Sequence, residues 1–215
     1  MTKSISIPTI LAALAITAST AGADPVSLFD GKSFKGWEGD TENSWRIEDG
    51  TIVAGSHDKP APRNEFLTTT KRFENFDLSL KFKITGDKHI NAGVQFRTER
   101  IPDHHEVIGY QADIGEGYWG ALYDESRRRK ILAKPDQETA AKARAAVAKD
   151  GWNTYRILAK GKHIQLWLNG IKTVDYTEKD PGIPTDGVIA IQIHGKMQAL
   201  IAYKDITIKE LPAEK

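Results

Sequence analysis

The sequence predicts an all-β fold of two antiparallel sheets packed face to face, or closed into a barrel, and three observations carry the prediction. Apolar and polar residues alternate with period two along most of the chain, as half-buried strands require. Between the alternating runs lie short clusters rich in Gly, Asp and Asn, the residues that turns demand. There is neither a βαβ rhythm nor a repeat of constant period, which argues against a parallel sheet, a propeller and a solenoid.

At the N-terminus, Lys3, the apolar stretch Ile5 to Ala18 and the small-x-small site Ala21-Gly22-Ala23 read as a secretory signal over residues 1–23. At about 14 residues the apolar stretch is shorter than the roughly 20 that span a bilayer, and a retained anchor is the alternative. Residues 24–215 are then a single domain, and the expected location is periplasmic or secreted. Strands are predicted in Trp45 to Val53, Asp77 to Ile84, Gly93 to Arg97, Ile108 to Ile114, Tyr155 to Ala159, Ile164 to Leu168, Val188 to His194 and Ile201 to Leu211. Turns fall at Glu48-Asp49-Gly50, Thr85-Gly86-Asp87, Lys160-Gly161-Lys162 and Leu168-Asn169-Gly170, the last two making a meander of hairpins from Trp152 to Tyr176. One segment breaks the pattern: Asp136 is placed to cap a short surface helix through Glu138, Ala141, Arg144, Ala145 and Ala148. The alternation assigns to the core Leu78, Leu80, Phe82, Val94, Phe96, Tyr110, Ala112, Ile157, Leu166, Ile189, Ile191 and Ile193.

Composition narrows the function. With no cysteine, the chain has neither disulfides nor thiolate metal sites, and a bacterial periplasm suits it better than a disulfide-dependent niche. A net charge of +1 and a single short basic run, Arg127-Arg128-Arg129-Lys130, predict no nucleic-acid partner, and no segment after the signal is apolar enough for a membrane. His89, His104, His105 and His194 lack a metal-ligand spacing, and His104 and His105 read as loop residues, so no metal and no cofactor are expected. Phosphate-binding glycine loops and a GxSxG elbow are absent.

The polar faces of the strands are more informative. Residues two apart on a strand share a side, so Gln95 goes with Arg97, Gln111 with Asp113, and Gln192 with His194. An amide followed by a charged or titratable group thus recurs on three strands, unlike the lysine-rich face at Lys81 and Lys83. Amides, guanidinium and carboxylates match sugar hydroxyls, which both donate and accept. Tyr118, Trp119 and Tyr123 adjoin this region, as stacking platforms for a pyranose ring or as core and rim packing.

From Leu28 to Leu211 the chain resembles the 3-keto-disaccharide hydrolase domain family. The resemblance rests on Leu28-Phe29-Asp30-Gly31-Lys32 through Gly36-Trp37, Trp45-Arg46-Ile47-Glu48-Asp49-Gly50, Asn64-Glu65-Phe66-Leu67 and Asn75-Phe76-Asp77-Leu78. It continues with Asn91-Ala92-Gly93-Val94-Gln95-Phe96-Arg97, Gly109-Tyr110-Gln111-Ala112-Asp113, Gly120-Ala121-Leu122-Tyr123-Asp124-Glu125, Trp152-Asn153, Leu168-Asn169-Gly170 and Gly187 to Gly195. Many relatives have serine where this chain has Ala92.

The resemblance implies a concanavalin-like jelly-roll β-sandwich with a groove for glycans, and cleavage of a glycoside whose glucose unit a partner dehydrogenase has oxidised at carbon 3. Such a ketone acidifies the hydrogen at carbon 2, so the bond at carbon 1 can break by elimination, with or without later hydration. The chemistry needs a base at carbon 2, a cation or donor at the ketone oxygen and an acid at the leaving oxygen. Arg97 is the candidate for the ketone oxygen; Asp113 and Glu65 compete as base, with His194 third; Tyr123 or Glu125 would be the acid. Gln95, Gln111, Gln192, Trp119 and Lys134 are candidates for binding the oxidised sugar. A non-catalytic carbohydrate-binding module and an ordinary glycanase are the rival readings.

Overall fold

The computed structural model describes residues 24–86 and 90–213. The expected signal, His89 and the Asp87 end of one predicted turn lie outside the described residues. In chain order the elements are β1 (Val26–Ser27), β2 (Trp37–Glu38), β3 (Trp45–Glu48), β4 (Thr51–Gly55), β5 (Glu65–Phe73), β6 (Phe76–Gly86), β7 (Asn91–Arg100) and β8 (Val107–Gly115). They continue with β9 (Leu122–Glu125), β10 (Lys130–Ala133), helix α1 (Gln137–Ala146), β11 (Asn153–Lys160), β12 (His163–Leu168), β13 (Ile171–Thr177), β14 (Gly187–Ile193) and β15 (Ala199–Glu210).

All pairings are antiparallel and form two sheets. The first runs β13-β12-β11-β6-β15-β4-β3, with β1 also paired to β15; the second runs β10-β9-β8-β7-β14-β5-β2. This is the predicted jelly-roll sandwich, with one helix among the described residues. Local chemistry explains the tight turns. At Asp49-Gly50 (φ 47° and 72°) and Asn169-Gly170 (φ 48° and 80°) both central residues are left-handed, the geometry that matches the twist of a two-residue hairpin. Helix α1 starts where Asp136 accepts the Thr139 N–H at 2.7 Å.

The core lies between the sheets, and all twelve residues assigned to it from the alternation are there. Aromatic rings form its centre: Phe82 sits against Trp119 and Tyr155, with ring centroids 6.4 and 6.1 Å away. Truncating Phe82 to alanine would cost about 3–5 kcal/mol, the usual penalty for emptying such a position. Trp119 is therefore a core residue, 6% exposed and stacked on Phe82 at 20°, and not a sugar platform. It lies within the β8–β9 turn.

Candidate functional site

The site is built on the face of the seven-stranded sheet turned away from the core. Register fixes its two central rows, because directly paired residues project to the same side. One row crosses β5, β14, β7 and β8 as Phe66, Gln192, Gly93 and Asp113. The next crosses β5, β14, β7, β8 and β9 as Thr68, Ala190, Gln95, Gln111 and Tyr123. Glu125 lies two residues from Tyr123 on the same side, opposite Gly109. His194 follows Gln192 by two and is half-buried, with Nδ1 2.8 Å from its neighbour's Gly195 carbonyl.

Within these rows the polar groups are connected. Gln95 Nε2 donates to Gln111 Oε1 at 2.5 Å, and Gln111 Nε2 donates to Asp113 Oδ1 at 2.6 Å. Gly93 makes the relay possible, since a Cβ there would lie 2.6 Å from Gln111 Cδ. Other polar atoms are buried with no partner: Gln95 Oε1, both carboxamide atoms of Gln192, and Glu106 Oε2. Each such group costs about 1–3 kcal/mol of unrecovered desolvation. A ligand that supplied the missing hydrogen bonds would offset that cost.

These side chains face away from the core, yet Gln95, Gln111, Asp113 and Gln192 are each no more than 4% exposed. The tip of the β7–β8 hairpin covers them. A straight β7 would carry Arg100 about 26 Å from Ala92, at roughly 3.3 Å per residue. Asn64, however, adjoins Glu65, which lies at the level of Ala92 because both pair with Ile193. From there Asn64 donates to Glu106 at 3.0 Å and its carbonyl meets His105 Nδ1 at 3.0 Å, although both residues belong to the hairpin tip. Arg100 likewise reaches the carbonyls of Glu38 and Phe66, at 2.7 and 2.9 Å, and Thr68 Oγ1 at 3.1 Å. The hairpin therefore folds back over the sheet, and Asn64 fastens it. Asn64 Oδ1 also accepts the Gly195 N–H at 2.8 Å, which ties the segment after His194 to the same point.

The fold-back starts at Arg97 and removes that residue from the site. Arg97 is left-handed, with φ 47°, and the register of β7 breaks on both sides of it. Its guanidinium donates to the Glu74 carbonyl at 3.0 and 2.7 Å and to the Gly161 carbonyl at 2.6 Å, joining the β5–β6 turn to the β11–β12 turn. It is 3% exposed, and burial lowers its pKa to about 10, which leaves it charged at neutral pH. Arg97 is thus a structural tie and not a ligand for a ketone oxygen.

Two more candidates fall elsewhere. Glu65 pairs with the core residue Ile193, so it points to the opposite side of the sheet from Asp113, where it takes the Arg63 guanidinium at 2.7 Å beside a small pocket of about 250 Å³. Lys134 is exposed and lines a groove with Tyr118 and helix α1 beyond the sheet's edge. The structure therefore gathers Gln95, Gln111, Asp113, Gln192, Tyr123 and Glu125, with His194 at the end of the Gln192 strand. It separates Arg97, Glu65, Trp119 and Lys134 from them. The sequence reading missed Asn64 and Glu106, and it took His105 for a solvated loop residue, whereas His105 is half-buried against Asn64.

Electrostatics single out two carboxyls. Burial pushes Asp113 up to about 7, opposed by the hydrogen bond from Gln111 and reinforced by the charge of Glu125. Glu125 is raised by burial and then by Glu106, with the Ser126 N–H opposing. Its neighbours in the basic run are engaged elsewhere: Arg127 and Arg128 pair with Asp124, and Arg128 also with Glu178. Tyr123 is raised too, by burial and then by Glu125 and Asp113, so its hydroxyl remains a proton donor. Two acids whose pKa values burial raises, beside a row of carboxamides, form a site equipped for proton transfer on a polyhydroxylated molecule.

Fold and site together define a jelly-roll protein of the carbohydrate-active class. A family model described as the 3-keto-alpha-glucoside-1,2-lyase-like domain matches residues 24–209, and the chain belongs to that family. Two solved structures from Parabacteroides distasonis, both provisionally called glycosyl hydrolases, are similar. One has 22% identity and a TM-score of 0.64 over 87% of this chain and 94% of its own; the other has 25% identity and 0.63 over 88% and 100%. The carbohydrate-binding module CBM66 of Bacillus subtilis shares the fold at 12% identity, with a TM-score of 0.61 over 81% of this chain and 96% of that one. No curated protein matches the chain.

Proposed function

We propose that this protein is an exported enzyme that cleaves the glycosidic bond of 3-keto-glycosides by elimination, with hydration of the product completing a net hydrolysis. The observation that carries the reading is Asp113, a buried carboxyl poised near pH 7 at the end of a carboxamide relay. A base of that pKa is matched to a proton acidified by a neighbouring ketone. Asp113 takes the proton from carbon 2. The C–H electron pair becomes the carbon 2–carbon 3 double bond of an enolate, and the negative charge goes to the ketone oxygen. Return of that charge expels the oxygen on carbon 1 as the carbon 1–carbon 2 double bond forms. Glu125, whose pKa is raised by burial and by Glu106, donates the proton to the leaving oxygen, and the Tyr123 hydroxyl is a further donor within the same rows.

The second reading, a non-catalytic carbohydrate-binding module, is favoured by the likeness to CBM66. One experiment separates the two. The mature protein is incubated in heavy water with methyl glucosides and with their 3-keto counterparts, and the products are weighed by mass spectrometry. Deuterium entering carbon 2 and release of methanol from the keto sugars alone are expected. Binding of glycans with neither exchange nor cleavage would establish the module.

A further inference from the structure

We propose that Gln192 is the residue that recognises the oxidised sugar and stabilises its enolate, the role that Arg97 is too distant to perform. The proposal rests on the reading of the site as a keto-glycoside enzyme. Gln192 is fully buried, and neither its Nε2 nor its Oε1 has a partner, so a donor and an acceptor stand side by side in one plane. Such a pair is complementary to an α-hydroxyketone: the N–H donates to the ketone oxygen and the amide oxygen accepts from the adjacent hydroxyl. Plain glucosides offer a hydroxyl where the ketone would be, and no enolate can form from them.

Position supports the role. Gln192 and Asp113 occupy one row with only Gly93 between them, on strands two apart, which sets their backbones about 10 Å from each other. Gly93 contributes no side chain of its own, and the Gln111 carboxamide lies over it, with Cδ 2.6 Å from where a Cβ would be. A sugar ring held over that carboxamide presents carbon 2 to Asp113 on one side and its ketone oxygen to Gln192 on the other. When Asp113 removes the proton, the growing charge on that oxygen meets the Gln192 N–H. The hydrogen bond is stronger to the enolate than to the ketone, which is the condition for catalysis rather than simple binding.

Gln192→Met keeps the side-chain length and removes both polar atoms. Since those atoms are buried without partners, the variant should resist urea at least as well as the wild type. Its rates of carbon 2 exchange and of cleavage should nevertheless fall about a hundredfold or more, the typical loss for one oxyanion donor. Unchanged rates would overturn the proposal, and so would a loss of stability large enough to account for the loss of rate. If the wild type neither exchanges nor cleaves any 3-keto-glycoside, the enzymatic reading itself fails, and Gln192 is then judged by calorimetry. Wild-type preference for methyl 3-keto-glucoside over methyl glucoside, abolished in Gln192→Met, would uphold its recognition of the ketone; equal binding of the two sugars would refute it.

Discussion

The two outer faces of the sandwich are built from the same alternating pattern and use their polar residues in opposite ways. On the eight-stranded sheet the charges neutralise one another in solvent. Arg156 forks onto Asp77 at 2.8 and 2.6 Å, Lys81 meets Asp205 at 2.9 Å, and Lys172 meets Asp175 at 2.7 Å. Lys83 and Lys204 lie over the Trp152 ring, at 5.5 and 4.1 Å. Around Gln111 and Gln192 on the seven-stranded sheet the polar residues are carboxamides and carboxyls, buried beneath a folded hairpin, and several atoms have no partner at all. Long, solvated side chains that satisfy each other keep a face soluble; short, buried ones that do not carry a desolvation cost that a ligand would offset.

The largest effect is expected at Asp113. Asp113→Asn keeps the relay's shape and removes the base, and turnover of a 3-keto-glucoside should fall by about 10²–10⁴-fold. In the wild type, kcat/KM should rise about tenfold per pH unit up to about 7, where Asp113 becomes ionised, and level off above it. A flat profile between pH 5 and 8 would remove Asp113 from the proton transfer.

Arg97 should fail in a different way. Arg97→Met deprives the carbonyls of Glu74 and Gly161 of their donors, and stability should drop by about 2–5 kcal/mol in urea denaturation. Any surviving folded protein should retain the wild-type dependence of rate on pH. A stable Arg97→Met variant without activity would restore Arg97 to the site.

Asp113 also predicts a stability effect whose sign follows from linkage. Its folded pKa, about 7, lies above the unfolded value of 3.8, so the folded state binds the proton more tightly and its stability falls as pH rises from 3.8 through 7. The full shift corresponds to about 4 kcal/mol, an upper figure. Asp113→Asn should therefore be more stable than the wild type at pH 8, by about 2–4 kcal/mol, while the advantage fades toward pH 4. Thermal unfolding at the two pH values measures it.

A smaller loss is expected at the hairpin latch. Asn64→Ala removes the bonds to Glu106 and the Gly195 N–H, and should cost about 1–2 kcal/mol while speeding hydrogen exchange across residues 99–107.

How much of this was legible depended on whether period two held. Where it did, the sequence placed the core residues from Leu78 to Ile193 and the outward pairs Gln111 with Asp113 and Gln192 with His194. It failed at Arg97 because one left-handed residue interrupts the pleat, and no composition signal marks a bulge at an arginine. Glu65 was misplaced because its side of the sheet depends on register with Ile193, which only pairing reveals. Asn64 and Glu106 are 42 residues apart and meet only because the hairpin folds back. Trp119 lies in a turn, where alternation gives no direction, and its choice between sugar and core was made by Phe82.

The smallest effect belongs to the other face, and it completes the contrast. Arg156→Ala removes a two-pronged ion pair with Asp77 and a contact 4.5 Å above the Trp167 ring, which on geometry alone looks stronger than anything around Gln192. Arg156 is 44% exposed, however, so water already solvates both charges and replaces most of what the pair provides. Exposed pairs of this kind contribute about 0.2–1 kcal/mol. Stability of Arg156→Ala should change within that range, the change should shrink further as salt screens the pair, and turnover should not move. A loss of turnover in this variant, with stability intact, would show that the eight-stranded face also meets the substrate and that burial is not what distinguishes the two faces.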